Sequence, residues 1–178
     1  MLTNQAQQGS ATVHRFSRND EVQFGFGLPA DVNAQLQKAA SSIASGTESL
    51  DALCVAKALA PQQLEVIVAL YKFHFYQGNI ALAEDYVFQA LIKAARAGGF
   101  KYNWESLTQA STDWGDIRGP GRVYLYSLKA LAFIRLRQED PGNAEFILDT
   151  LNRLDPDDQV GANVIRDLLA AIKENENG

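Results

Sequence analysis

The sequence has little cysteine, little positive charge and no long apolar run. Cys54 is the one cysteine among 178 residues, so no disulfide can form within the chain. Lysine and arginine number 16 against 21 aspartates and glutamates, which gives a net charge of −5. Nucleic acids and anionic membranes attract basic surfaces, because their phosphates are negatively charged. The composition therefore predicts neither nucleic acid nor membrane as a partner.

The chain also lacks the signals that direct a protein into or across a membrane. No stretch approaches 18 consecutive apolar residues, and the first residues lack a basic segment followed by an apolar one. We therefore expect no membrane-spanning helix, no secretory signal peptide and a cytoplasmic location. The length suits one domain whose core needs no disulfide or metal for stability.

Side chains that could carry chemistry occur singly in the sequence. Cys54 lies in an apolar helical segment and is predicted to be a small core residue. His74 lies among aromatic residues and is predicted to pack there, because no His or Cys three or four positions away could share a metal with it. No serine stands in a Gly-x-Ser-x-Gly motif. These patterns favour a protein that is not an enzyme and that uses no cofactor or metal.

Two segments differ from the rest of the chain. Residues 1–27 are rich in Gln, Asn, Ser and Gly and are predicted to form a partly flexible N-terminal arm, whose Phe24 and Phe26 could fill a groove. Residues 98–121 hold five of the 13 glycines and both tryptophans. We expect them to form a structured insertion with one short helix around 104–110. Its Trp104 and Trp114 would seal the edge of a core or, alternatively, anchor a partner.

The remaining sequence has a helical pattern, so the predicted fold class is all-α. Apolar residues recur at helical spacing, and Gly, Pro, Asn and Asp mark the breaks between segments. The predicted helices are 30–44, 47–60, 62–77, 80–97, 122–138, 142–154 and 160–173. The residues expected to face the core are Leu36, Ala40 and Ile43 in the first helix and Val164, Leu168, Leu169 and Ile172 in the last.

Two prolines place a repeat of 34 residues on the helical part of the chain. Pro61 and Pro156 fall at the same position of this frame, which gives units 30–63, 64–97 and 125–158. The last unit has small residues, Ala132 and Ala144, where two antiparallel helices would approach closely. Large apolar residues surround these positions at Leu128, Leu131 and Leu148.

This pattern resembles the tetratricopeptide repeat family. The resemblance implies antiparallel helical hairpins stacked as a short array within one domain, residues 28–178, with 160–173 as a capping helix. Arg135 and Leu151 depart from the family pattern in the last unit, as does Tyr71 in the middle one. The first unit is either a degenerate repeat or a plain capping hairpin, and a generic helical bundle is the alternative for the whole.

The resemblance implies a concave groove that binds a polypeptide, lined mainly by the first helix of each hairpin. Aromatic and basic side chains share the inferred face and suit an extended or helical peptide, with an acidic one favoured by the cations. The predicted groove residues are Lys72, Phe75, Tyr76, Tyr126, Lys129, Phe133 and Arg137.

A second candidate site precedes the fifth predicted helix. Arg118 and Arg122 flank Gly-Pro-Gly at a helix N-terminus, where backbone amides favour a phosphate or carboxylate. The alternative is a tight turn whose arginines pair with Asp113 or Asp116.

The expected function is that of an adaptor in protein–protein interaction. Length, acidity and three repeats are also similar to the small chaperones of type III secretion translocators, so a secretion-type or assembly chaperone is the first alternative. An enzyme or a helical protein that binds a small ligand is the second. The sequence leaves the partner and the oligomeric state open.

Overall fold

The computed structural model describes residues 28–176, so the predicted N-terminal arm with Phe24 and Phe26 lies outside the described part. Seven α-helices and no strand occur in this range, which confirms the all-α fold class. The helices are α1 (Ala30–Ser41), α2 (Gly46–Leu59), α3 (Leu64–Tyr76), α4 (Ile80–Gly98), α5 (Pro120–Arg137), α6 (Pro141–Leu154) and α7 (Asn163–Glu176).

Consecutive helices pack as hairpins that stack in sequence order. Helix α1 packs on α2, α3 on α4, and α5 on α6. The hairpins join where α2 meets α3 and where α4 meets α5, and α7 packs against both α5 and α6. The molecule is therefore a short array of helical hairpins with a C-terminal helix, as the sequence predicted.

The turn residues end and begin the helices for physical reasons. Gly99 follows α4 with a φ of 69°, a left-handed conformation that costs glycine little, and its N–H donates to the Arg96 carbonyl. Asp140 precedes α6, where its carboxylate accepts the Asn143 N–H, and Pro141 occupies the first helical position. The side-chain amide of Asn143 also donates to this carboxylate, and the two bonds from Asn143 lower the pKa of Asp140. Asp140 and Pro141 thus mark the break before α6, as the sequence predicted for Asp and Pro residues between the helical segments.

Small residues sit where the paired helices come closest. Ala132 of α5 and Ala144 of α6 are fully buried, and so are Ala83 and Ala90 of α4. In the first hairpin Ser49 takes the equivalent place. Its hydroxyl donates to the Ala39 carbonyl at 2.9 Å, so a buried polar group keeps a partner.

The buried side chains form two hydrophobic clusters that meet at α3. The smaller one holds α1 and α2 against one face of α3, through Val66, Leu70 and Phe73. The larger one continues from the other face of α3, through Ile67 and Tyr71, into α4, α5, α6 and α7. Helix α3 is therefore the element shared by both parts of the core.

The insertion between α4 and α5 packs onto the array. It contains two 3-10 turns, Trp104–Ser106 and Gln109–Ser111, where the sequence predicted one short helix. Trp114 is 7% exposed, and its indole N–H donates to the Thr108 carbonyl at 3.0 Å. The rings of Phe100 and Trp114 lie 5.3 Å apart, and Trp104 stacks on Phe88 of α4. The prediction that the tryptophans seal a core edge is confirmed.

Four predictions of core-facing residues are wrong. In α1 Val32 and Ala39 are buried while Ala40 and Ile43 are exposed; Ile43 lies beyond the end of the helix. In α7 Ile165 and Leu169 are buried, whereas Val164 is 59% exposed and Leu168 is also exposed. Each helix carries two possible apolar stripes about 100° apart, and its neighbours select one of them.

Cys54 was also assigned wrongly, since it is exposed rather than in the core. The buried stripe of α2 runs through Ser49, Ala52, Leu53 and Ala56. A residue one position after Leu53 is turned by about 100° around the helix and faces outward.

Candidate functional site

An apolar pit lies between the first helices of the second and third hairpins. Its volume is about 40 Å³. Pockets for small ligands usually measure roughly 300–1,000 Å³, so this one suits a single apolar side chain of a partner. Four residues of α3 and four of α5 line what we call the aromatic pit: Tyr71, Lys72, Phe75, Tyr76, Tyr126, Ala130, Phe133 and Ile134.

The aromatic pit brings together five of the seven predicted groove residues. The ring centroids of Phe75 and Phe133 lie 5.1 Å apart, so the two helices meet through a ring pair. Tyr76 packs edge-on against Phe75 and keeps about half of its surface exposed. The residues recur at helical spacing on each helix, which explains why the sequence placed them on one face. The pattern missed Tyr71, Ala130 and Ile134, which complete the lining.

Cationic side chains surround the pit on aromatic faces. The Arg137 guanidinium carbon lies 5.9 Å from the Phe75 ring centroid, within the range of a cation–π contact. Arg122 lies 5.0 Å from the Tyr126 ring and donates to its hydroxyl. The rim therefore combines apolar surface with positive charge in an acidic chain.

Lys129 does not reach the groove in the way that the sequence predicted. It is 6% exposed, and its ammonium donates to the Val160 carbonyl while lying 5.1 Å from the Tyr126 ring. The side chain thus joins α5 to the segment that leads into α7. A lysine at a groove position can turn inward in this way, because its carbon chain packs in apolar surroundings while its head finds an acceptor. Lys129 is therefore not one of the residues that face the groove.

The floor of the pit includes a buried phenol. Burial raises the pKa of Tyr71 well above its usual value, and the hydroxyl of Ser127 acts in the opposite direction. Tyr71 is therefore neutral at physiological pH and presents apolar surface to an occupant.

The two arginines of the predicted anion site lie in different surroundings. Arg122 donates to the Gln159 carbonyl at 2.8 Å and to the Gln159 side chain, so it fastens α5 to the joint before α7. Arg118 instead lines an open recess that does not include Arg122. The predicted pair is not brought together on one site. The nearby aspartates accept backbone N–H groups, Asp113 from Gly115 and Asp116 from Arg118, so they close the turn themselves.

That recess gathers cations from two parts of the chain, helix α4 and the insertion that precedes α5. We call it the basic recess; its volume is about 490 Å³, and its positive side chains are Lys93, Arg96 and Arg118. Lys93 and Arg96 were missed, because the insertion between α4 and α5 separates them from Arg118 along the chain. Within residues 28–176 no group of three or more His, Cys, Asp or Glu side chains could hold a metal ion. No described helix is long and apolar enough to cross a membrane.

Fold and groove together define a class: a protein of stacked helical hairpins with an aromatic pit and a cationic rim between two of them. No protein-family model and no solved structure matches the chain. It is similar to an "uncharacterized 19.8 kDa protein in nifW 5'region" of Azotobacter chroococcum mcd 1, with 31% identity over 140 residues, which is 77% of each chain. The chain belongs to the same family as this Azotobacter protein.

Proposed function

We propose that the protein is an interaction adaptor that binds a polypeptide segment in the groove between α3 and α5. The aromatic pit is the observation that carries the proposal. A pit of about 40 Å³ between Phe75 and Phe133 is too small for a metabolite, yet it can receive one aliphatic side chain. A few buried side chains usually contribute most of the binding energy of an interface, and aromatic residues and arginine are enriched among them. We call the side chain that would enter the pit the anchor.

The cationic side chains at the rim of the pit indicate which residues of a partner would lie next to the anchor. Arg137 lies over Phe75, and Lys72 lines the pit beside it. An acidic residue next to the anchor would therefore find complementary charge, with its main effect on the association rate and its salt dependence. We infer a partner segment that carries an aliphatic residue with Asp or Glu nearby, and a role for this chain that involves no catalysis.

The name of the relative directs the search for the partner. It places the gene of the Azotobacter protein in the 5′ region of nifW. Proteins encoded beside that gene, with the nifW product first, are the candidates to test against the tagged adaptor. Any partner captured is then reduced to its shortest binding segment, and the dissociation constant of that peptide is measured.

Single truncations in the pit decide whether this groove binds the peptide. We expect Phe75→Ala and Phe133→Ala each to weaken binding by about 30-fold, as loss of an interface hot spot of roughly 2 kcal/mol would. Phe146→Ala is the matched control, because Phe146 on α6 is 47% exposed and lies outside the pit. Thermal midpoints identify any variant that fails to fold. The proposal is wrong if Phe146→Ala abolishes binding while both pit variants, still folded, retain it.

A further inference from the structure

The basic recess lies at the end of the array where α3 and α5 begin and α4 ends. Its walls come from the Gln62–Gln63 turn, the last turns of α4 and the first turn of α5. Leu64, at this recess, and Phe75, at the aromatic pit, are 11 residues apart on α3, which corresponds to about 16 Å along the helix. The two sites are therefore separate, and a ligand of one need not touch the other.

Cations outnumber carboxylates among the residues that line the recess. Lys93, Arg96 and Arg118 line it, against one carboxylate, that of Glu65. Glu65 already accepts a hydrogen bond from the Gln63 side chain at 2.8 Å, and the Lys93 ammonium donates to the neutral Gln62 side-chain oxygen. The chain as a whole carries a net charge of −5, so a local excess of cations here runs against its composition.

Two helix ends add to the positive potential. The N-terminal residues of α3 and α5 line the recess, and neither helix receives a side-chain cap from its N-cap residue, Gln63 or Gly119. The first backbone N–H groups of a helix and its dipole favour an anion. The opposing C-terminus of α4 is neutralised in part, because the carbonyls of Ala95 and Arg96 accept N–H groups of Phe100 and Gly99.

We propose that the basic recess is a second binding site, which takes an acidic segment of a polypeptide through two or more carboxylates. Its volume of about 490 Å³ accommodates more than one carboxylate side chain and falls in the range of ligand pockets, roughly 300–1,000 Å³. Arginine presents a planar fork that matches a carboxylate, and Arg96 and Arg118 approach from different elements. A segment with successive Asp or Glu residues can engage both, whereas an isolated anion engages fewer of the cations.

The test uses a fluorescein-labelled hexaglutamate peptide with blocked ends and measures anisotropy at low ionic strength. We expect the peptide to bind, and its affinity to fall as the salt concentration rises. Arg96→Gln or Arg118→Gln should weaken binding by about tenfold, because each substitution removes one charge-assisted hydrogen bond. Lys38→Gln is the matched control, because it removes one exposed cation from α1, outside the recess. This control should change the dissociation constant by less than about twofold, in line with weak screened surface charges.

Other outcomes would overturn the proposal. If a hexaglutamine peptide bound equally well, binding would be non-specific. The same would follow if Arg96→Gln, Arg118→Gln and Lys38→Gln lost equal affinity for hexaglutamate. Complete displacement of the peptide by about 1 mM inorganic phosphate would assign the recess to a free anion instead. So little salt screens charges only weakly, so displacement would mean that phosphate itself occupies the recess. Phe75→Ala should leave hexaglutamate binding unchanged, so failure at the recess and failure of the groove remain distinguishable.

Discussion

Truncation of Leu131 tests the packing on which the groove depends. Leu131 of α5 is 0% exposed and belongs to the larger hydrophobic cluster. Leu131→Ala removes three carbon atoms, and their transfer from water contributes about 0.8 kcal/mol each, or about 2.4 kcal/mol. A residual cavity of about 50 Å³ adds about 1.2 kcal/mol at roughly 24 cal/mol per Å³. We therefore expect a loss of about 3–4 kcal/mol in the free energy of unfolding.

Urea unfolding followed by circular dichroism measures this loss. For a domain of this size it corresponds to a fall of about 6–16 °C in the thermal midpoint. Leu82→Ala is the matched control, since the same atoms are removed from a side chain that is 48% exposed on α4. We expect it to cost less than about 1 kcal/mol, as substitutions on the surface usually do. If Leu131→Ala cost no more than Leu82→Ala, the assignment of the inner face of α5 would be refuted.

Two further predictions concern the insertion and a buried histidine. In a Trp104→Phe variant the emission of Trp114 should be blue-shifted and protected from acrylamide, because its ring is buried against Phe100; emission like that of indole in water would contradict the packing. His74 stacks on Tyr86, and burial, with a smaller effect of Lys57, lowers its pKa below the usual value. The unfolded chain then takes up the proton first, so stability is complete above about pH 6.5 and falls as pH drops below it. His74→Gln should lose less thermal stability between pH 7 and 5 than the natural chain, and an equal loss in both would contradict this linkage.

The sequence predicted helix boundaries well because the residues at the breaks act locally. Pro141 and Gly99 end or begin helices through their own backbone preferences, whatever lies around them. The repeat frame also located Ala132 and Ala144, because close helix contact excludes larger side chains. Whether the family is that of tetratricopeptide repeats stays a prediction.

Orientation of individual side chains was less predictable. Val164 and Ile165 of α7 are equally apolar, and only the position of α5 and α6 decides which one is buried. Lys129 turned inward because the Val160 carbonyl, 31 positions later in the chain, offers an acceptor. The basic recess depends on Arg96 of α4 and Arg118 of the insertion lining the same space. Such contacts arise from tertiary packing and leave no periodic signal in the sequence.

The division of the core at α3 has a consequence for motion. Helices α1 and α2 are held mainly by the smaller cluster, through Val66, Leu70 and Phe73 on one side of α3. The Lys57 ammonium of α2 also donates to the Tyr86 hydroxyl of α4. Cooperative opening tends to follow such boundaries, and the unit with less buried apolar surface opens at lower free energy. Amide protons of α1 and α2 should therefore exchange with solvent through a partial opening that leaves α3 to α7 folded. Because the aromatic pit is built by α3 and α5, it persists in that partly open form. The first hairpin can therefore unfold and refold without disrupting the groove.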